Sequence, residues 1–179
     1  MILGVILAAN ESADGGWEPA ARNMVDVLRS ARVTDIVLVA GRAENALTQI
    51  PWFAGTILPF SGLAEPLQAV RSVVAGSLPA SHHGILICPS PLPDLSQSVV
   101  VDLLQGFWTS KKNLIIPVYS GRRGYPILIG QHLYSCLARV SALETLAASA
   151  PHEVLEVHLE ENISHAGVPA TPGRMNKRS

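Results

Sequence analysis

Gly121-Arg122-Arg123-Gly124 places two arginines between two glycines, with Tyr119 and Tyr125 on either side. The arginines offer planar forks of N–H donors that suit a phosphate or a carboxylate. The glycines can take positive φ and let the backbone approach a ligand. A surface hairpin whose arginines are simply solvated fits the same residues equally well. A second polar segment, Ala8-Ala9-Asn10-Glu11-Ser12 and then Asp14-Gly15-Gly16, directly follows an apolar run. Glu11 is its most open carboxylate. Asp94 is another acid, better explained as a helix N-cap with Gln97 three residues on. His82 and His83 are adjacent, so on a regular element they point apart, and no third ligand stands at metal spacing. They read as a polar lead-in to a strand.

The elements that must hold these residues follow from apolar periodicity. Ile2 to Ala8, Ile36 to Ala40 and Ile85 to Cys88 are continuous apolar runs, the pattern of strands covered on both faces. Leu114 to Ile116 and Ile127 to Ile129 are two more, joined by a turn or loop that carries the arginines. Thr56 to Leu58 reads as a weaker strand, and Val154 to Leu159 alternates as an edge strand does. Helical spacing appears at Met24, Val25, Leu28 and Ala31, in a helix that Pro19 could open. It recurs in a short stretch from Ala43 to Ile50. Gly62-Leu63 begins a further helix through Leu67, Val70, Val73 and Val74. Val99, Val100, Leu103 and Leu104 mark another, and one helical region is expected from Gln131 to Ala150. Strand and helix therefore alternate, which predicts a three-layer, Rossmann-like α/β domain with a mostly parallel sheet.

The chain has 179 residues, 48% hydrophobic and 15% charged, with a formal net charge of −1. That is enough for one core, expected over residues 1–166, followed by a Pro/Gly-rich and basic tail from 167 to 179. No basic stripe or basic amphipathic helix argues for nucleic acid or a membrane surface. Met1 to Ala9 is too short to span a bilayer and lacks a charged leader. Cys88 and Cys136 form no C-x-x-C pair, and a reducing, cytoplasmic setting is the simplest reading.

Taken together, the pieces resemble the MobA-like nucleotidyltransferases, which attach a nucleotide to the molybdopterin cofactor. Ile116 to Pro126 is similar to the family segment ending in Gly-Arg-Arg-Gly-His-Pro, with Tyr125 in place of His. Leu7-Ala8-Ala9, Ser12 and Gly16 resemble the nucleotide loop A-G-G-x-S-x-R-M-G-x-x-K. Gly62-Leu63 to Leu67 resembles the segment before a helix used near the base, and Thr171-Pro172 the remnant of a D-x-D-T-P element. The resemblance implies nucleotide contacts at Ala8, Ala9, Asn10, Glu11, Ser12, Gly16, Gly62, Leu63, Pro89 and Pro91; Arg22, just past the shortened loop, is the candidate to replace the family's Lys at the nucleotide. It implies a substrate loop at Tyr119, Gly121, Arg122, Arg123, Gly124 and Tyr125.

Several catalytic positions differ from the family pattern. The loop Arg falls on Asp14, the Met on Gly15 and the Lys on Pro19. The Asp of the D-x-P element after the fourth strand falls on Pro89, and its Pro on Pro91. The acidic positions of the C-terminal element fall on Val168, Ala170 and Arg174. Nucleotidyl transfer spreads negative charge over the α-phosphate and the leaving pyrophosphate, so it needs Mg²⁺ on carboxylates and a cation at the phosphates. Three expectations follow. The first is a degenerate member that binds CTP, GTP or molybdopterin, or a molybdoenzyme maturation protein, with little or no transfer. The second is an active transferase whose Mg²⁺ and phosphate ligands have moved. The third is an unrelated small-molecule-binding α/β domain. The lost Lys and Asp positions favour the first.

Overall fold

The computed structural model describes residues 1–8, 17–41, 52–60, 66–75, 82–90, 92, 95–140 and 142–159. The strands are β1 (Ile2–Ala8), β2 (Asp35–Gly41), β3 (Thr56–Phe60), β4 (Gly84–Ser90), β5 (Leu114–Tyr119), β6 (Arg122–Arg123), β7 (Ile127–Gly130) and β8 (Val154–Leu159). The helices are α1 (Trp17–Ser30), α2 (Pro66–Ala75), α3 (Gln97–Ser110), α4 (Tyr134–Leu137) and α5 (Leu143–Ser149). The helix expected over 43–50 and the tail from 167 lie outside the described residues, as do Gly62 and Leu63.

All seven residues of β1 are buried, and β1 sits inside the sheet between β2 and β4, parallel to both. The sheet order is β3-β2-β1-β4-β7-β5-β6, with β8 on the other edge of β5. An unbroken apolar strand needs cover on both sides. Ile2, Ile6 and Ala8 join Met24 and Leu28 of α1 and Val100 and Leu103 of α3 in one apolar cluster. Leu3, Val5 and Leu7 join Val70 and Val73 of α2 with Leu137 and Leu146 of α4 and α5 in the other. Each such fully buried side chain contributes roughly 1.5–3 kcal/mol. Three layers result, as the alternation of strand and helix predicts.

Four local expectations are corrected. Helix α1 starts at Trp17, two residues before Pro19. Pro19 therefore sits in the first turn, where a missing N–H goes unnoticed because no carbonyl precedes it. The cap of α3 is Ser96 rather than Asp94, which lies outside the described residues. Ser96 Oγ accepts the Val99 N–H at 3.4 Å. Gln97 closes no capping box; its amide donates to the Ser30 carbonyl at the end of α1. The single helical region expected from Gln131 to Ala150 is broken into a 3₁₀ turn (Gln131–Leu133), α4 and α5. Arg71 of α2 holds the break open, donating to the Leu137 carbonyl at 2.7 Å and to the Val140 carbonyl. These are carbonyls that a continuous helix would have used internally. Finally, the loop expected between β5 and β7 contains the short strand β6.

The two histidines sit at the amino edge of the sheet, each with its own partner. His82 is 4% exposed, and its Nε2 lies 2.9 Å from Asp35 Oδ2, linking the start of β4 to the start of β2 across β1. His83 Nδ1 meets the terminal ammonium at 2.8 Å. A buried hydrogen-bonded side chain is costly to lose. His82→Ala is expected to cost about 1–3 kcal/mol and lower the melting temperature by about 2–4 °C per kcal/mol. Asp35→Asn is expected to cost less, because the Asp35 side chain is 44% exposed. A thermal melt of His82→Ala matching wild type would show that this link does not hold the edge.

Candidate functional site

The described candidate residues Ala8, Pro89 and Tyr119 lie at the opposite, carboxyl edge. β4 and β5 both run antiparallel to β7, which lies between them, so β1, β4 and β5 point the same way. Ala8, Ser90 and Tyr119 therefore end at one edge. The chain leaves β1 toward β2 and later returns to β1's other side as β4. Open α/β sheets take ligands at such a switch point. Pairing of β4 with β7 stops at Ile87↔Ile127, whereas β4 runs on to Ser90 with only β1 beside it. Among the described residues no strand flanks β4 on that side past Ile87.

The arginine hairpin explains the opening. Ser120 and Gly121 have φ of 48° and 79°, the paired positive values of a tight two-residue turn. They join Tyr119 to Arg122, which face each other across β5 and β6. Gly121 thus takes the conformation its type suggests, with nothing within 4 Å of a would-be Cβ. Gly124 does not adopt positive φ, and this corrects the expectation. A Cβ there would lie 2.9 Å from the Tyr119 ring, so Gly124 is the floor on which that ring packs. The Tyr119 hydroxyl donates to the Tyr125 carbonyl at 2.9 Å, and the Gly124 N–H donates to the Pro117 carbonyl at 2.9 Å. These contacts hold the segment before the cis Tyr125–Pro126 bond against β5 and away from β4.

The arginines divide their roles. Arg123 Nε donates to Glu156 Oε1 at 2.7 Å, anchoring β6 to β8 across β5. Arg122 is exposed and has no ion-pair partner among the described residues. Of the two guanidinium groups, only Arg122 is free to meet an anion. Arg22, on the second turn of α1, has its guanidinium 5.1 Å from the Trp52 ring centroid and 3.8 Å from the Glu18 carboxylate. Trp52 Nε1 donates to the same carboxylate at 2.6 Å. Arg22 is therefore committed to a local cluster.

Ala8 and Pro89 stand at the carboxyl edge, Ala8 opposite Ser90 and Pro89 opposite Leu7. Ala9, Asn10, Glu11, Ser12, Gly16, Gly62, Leu63 and Pro91 lie outside the described residues, as do Asp14 and Asp94. A hard divalent cation wants several oxygen ligands. The described ends of β1 and β4 offer Ala8, Pro89 and Ser90, no carboxylate among them. No group of three or more His, Cys, Asp or Glu among the described residues could hold a metal ion. These residues do not fit Mg²⁺. Cys88 cannot act as a thiolate either, since complete burial pushes its thiol far up and keeps it protonated.

One residue escaped sequence reasoning. Ser90 is 8% exposed, and its Oγ has no hydrogen-bond partner among the described residues. Read as sequence, it disappears into the rigid Pro89-Ser-Pro-Leu-Pro93 stretch. The available signal was a lone hydroxyl ending an apolar run, flanked by two residues without N–H donors.

The two glycines of the hairpin are expected to respond differently. Gly124→Ala pushes a methyl into a buried ring and should cost about 1–3 kcal/mol. Gly121→Ala meets open space and should cost about 1–2 kcal/mol through its left-handed backbone alone. Chemical denaturation checks both. Near-ultraviolet circular dichroism should report altered tyrosine packing in Gly124→Ala only.

Comparison with known proteins agrees with this architecture. The profile described as "MobA-like NTP transferase domain" matches residues 4–161. No curated protein sequence matches. Among solved structures, Rv0371c from Mycobacterium tuberculosis H37Rv is 18% identical, with a TM-score of 0.70 over 90% of this chain and 89% of that one. Rv0371c also appears in complex with manganese, at 20% identity and a TM-score of 0.71 over the same shares of both chains. The 4-diphosphocytidyl-2C-methyl-D-erythritol synthase of Anaerococcus prevotii is 14% identical, with a TM-score of 0.71 over 89% of each chain. At these identities the likeness is one of fold, a nucleotide-diphospho-sugar-transferase-like sheet with its helical layers. The profile covers most of the sequence, and on that ground the chain belongs to the MobA-like NTP transferase family.

Proposed function

We propose that this protein binds a nucleoside triphosphate, CTP or GTP, at the β1–β4 edge and serves molybdopterin cofactor maturation as a binding or partner protein. It carries out little or no nucleotidyl transfer itself. The observation that carries this reading is Pro89, half-buried near the carboxyl end of β4, where the family pattern has an Asp. A proline ring cannot coordinate a metal. Pro19, at the family's Lys position, lies in the first turn of α1 and cannot neutralise a phosphate. Asp14 adds negative charge to the same loop. In this reading Ala8 to Ser12, Gly16, Gly62, Leu63, Pro89 and Pro91 surround the nucleotide. Tyr119 to Tyr125 form the substrate loop, with Arg122 as its anion-facing cation, and a molybdoenzyme maturation protein is the protein partner. The described helices include none long and apolar enough to cross a membrane, in keeping with work in the cytoplasm.

Physical magnitudes make the loss of activity large. Each missing electrostatic contact to the transition state is commonly worth on the order of 10²–10³-fold in rate. Such effects need not multiply. Pyrophosphate release from CTP or GTP, with molybdopterin and Mg²⁺ present, is therefore expected to stay at background. Both nucleotides are expected to raise the melting temperature whether or not Mg²⁺ is present. Release well above background that vanishes in Arg22→Ala would overturn this reading, because Arg22 would then have left Trp52 to replace the missing Lys. Pro89→Asp provides the converse test. Restoring a carboxylate at this position is expected to make nucleotide stabilisation depend on Mg²⁺.

A further inference from the structure

We infer that the Ser90 hydroxyl is a ligand-facing group of the carboxyl edge, donating to a phosphoryl oxygen of the bound nucleotide. This rests on the nucleotide-binding reading above and assigns to that site a residue the family pattern does not. Three buried polar side-chain atoms have no partner among the described residues: His82 Nδ1, Tyr134 Oη and Ser90 Oγ. The His82 ring already has its bond to Asp35 at the amino edge. Tyr134 lies in α4, packed with the α2-side cluster. Only Ser90 stands where a parallel sheet receives ligands. A buried hydroxyl without a partner is disfavoured, because it has lost water and gained nothing in return.

The placement selects the chemistry. Residues alternate faces along β4, with Leu86 and Cys88 in the α1–α3 cluster and Ile85 and Ile87 in the α2 cluster. Ser90 therefore falls on the α1–α3 face, opposite Ala8 of the same cluster. Helix α1 follows β1 on this face, so its 14-residue run begins near the same edge. Its first N–H groups have no carbonyl partners within the helix and favour an anion. A hydroxyl donor and a helix amino terminus each favour the same kind of ligand atom, a phosphoryl oxygen. Pairing with β7 ends at Ile87, so among the described residues no strand adds a ladder to β4 beside Ser90.

The test uses the full chain and the Ser90→Ala variant, titrated with CTP, GTP and the nucleosides cytidine and guanosine. Removing an unpartnered buried hydroxyl should relieve the free protein, raising its melting temperature by about 2–4 °C. Affinity for the triphosphates should fall by about 10-fold, while affinity for the nucleosides stays unchanged. A melting temperature lowered in the free variant would overturn the inference, since the hydroxyl would then be bonded within the protein. Unchanged triphosphate affinity would overturn it too and would mark the partner as water. Equal losses for triphosphate and nucleoside would refute the phosphoryl assignment. Wild-type protein that binds neither CTP nor GTP would instead overturn the nucleotide reading, and this inference with it, before any variant is compared.

Discussion

The Tyr119 ring packed against Gly124 is the contact on which the carboxyl edge depends. The ring needs a neighbour without a Cβ, and its hydroxyl needs an acceptor, which the Tyr125 carbonyl supplies at 2.9 Å. Together they hold residues 124–126 to β5. Were this segment to continue straight as part of β7, it would pair with Cys88 to Ser90 and close the edge. Instead β7 stops at Ile127, and β4 projects three residues beyond its last partner on that side.

The charged groups around the opening are arranged by the same geometry. β6 can lie beside β5 only if something secures its far end, and the Arg123–Glu156 pair does so across the width of β5. Half-exposed ion pairs contribute little free energy on their own. Here the pair acts on direction, keeping β6 flat so that its neighbour Arg122 projects from the hairpin. Arg22 shows the opposite outcome. Stacking on Trp52 and attraction to Glu18 fix its charge beside α1. Arg123 is thus structural, Arg22 is held in a local cluster and Arg122 is presented to solvent.

Much of the fold was legible from apolar pattern. The β1, β2 and β7 runs were placed to within a residue, and β5 was placed at its start but runs three residues past the expected Ile116, since a strand covered on both sides has little freedom in composition. The edge character of β8 followed from its alternation. Failures came where a short-range rule met a competing tertiary partner. Asp94 and Gln97 satisfy a capping-box spacing, yet Gln97 turns to the Ser30 carbonyl and Ser96 takes the cap. The stretch from Gln131 to Ala150 has helical periodicity, yet Arg71 of α2 captures its mid-segment carbonyls. Neither partner is near in sequence.

By itself the sequence determined the layers and the strand that anchors them. Those depend on residue type and period, which are local properties. Tertiary structure decided the rest. It assigned Gly121 to backbone conformation and Gly124 to ring packing, roles that two identical residues three apart cannot reveal. It separated Arg122 from Arg123 through a carboxylate 33 residues away in the chain. It also left the Ser90 hydroxyl buried without a partner among the described residues, because whether a polar atom is satisfied depends on everything around it.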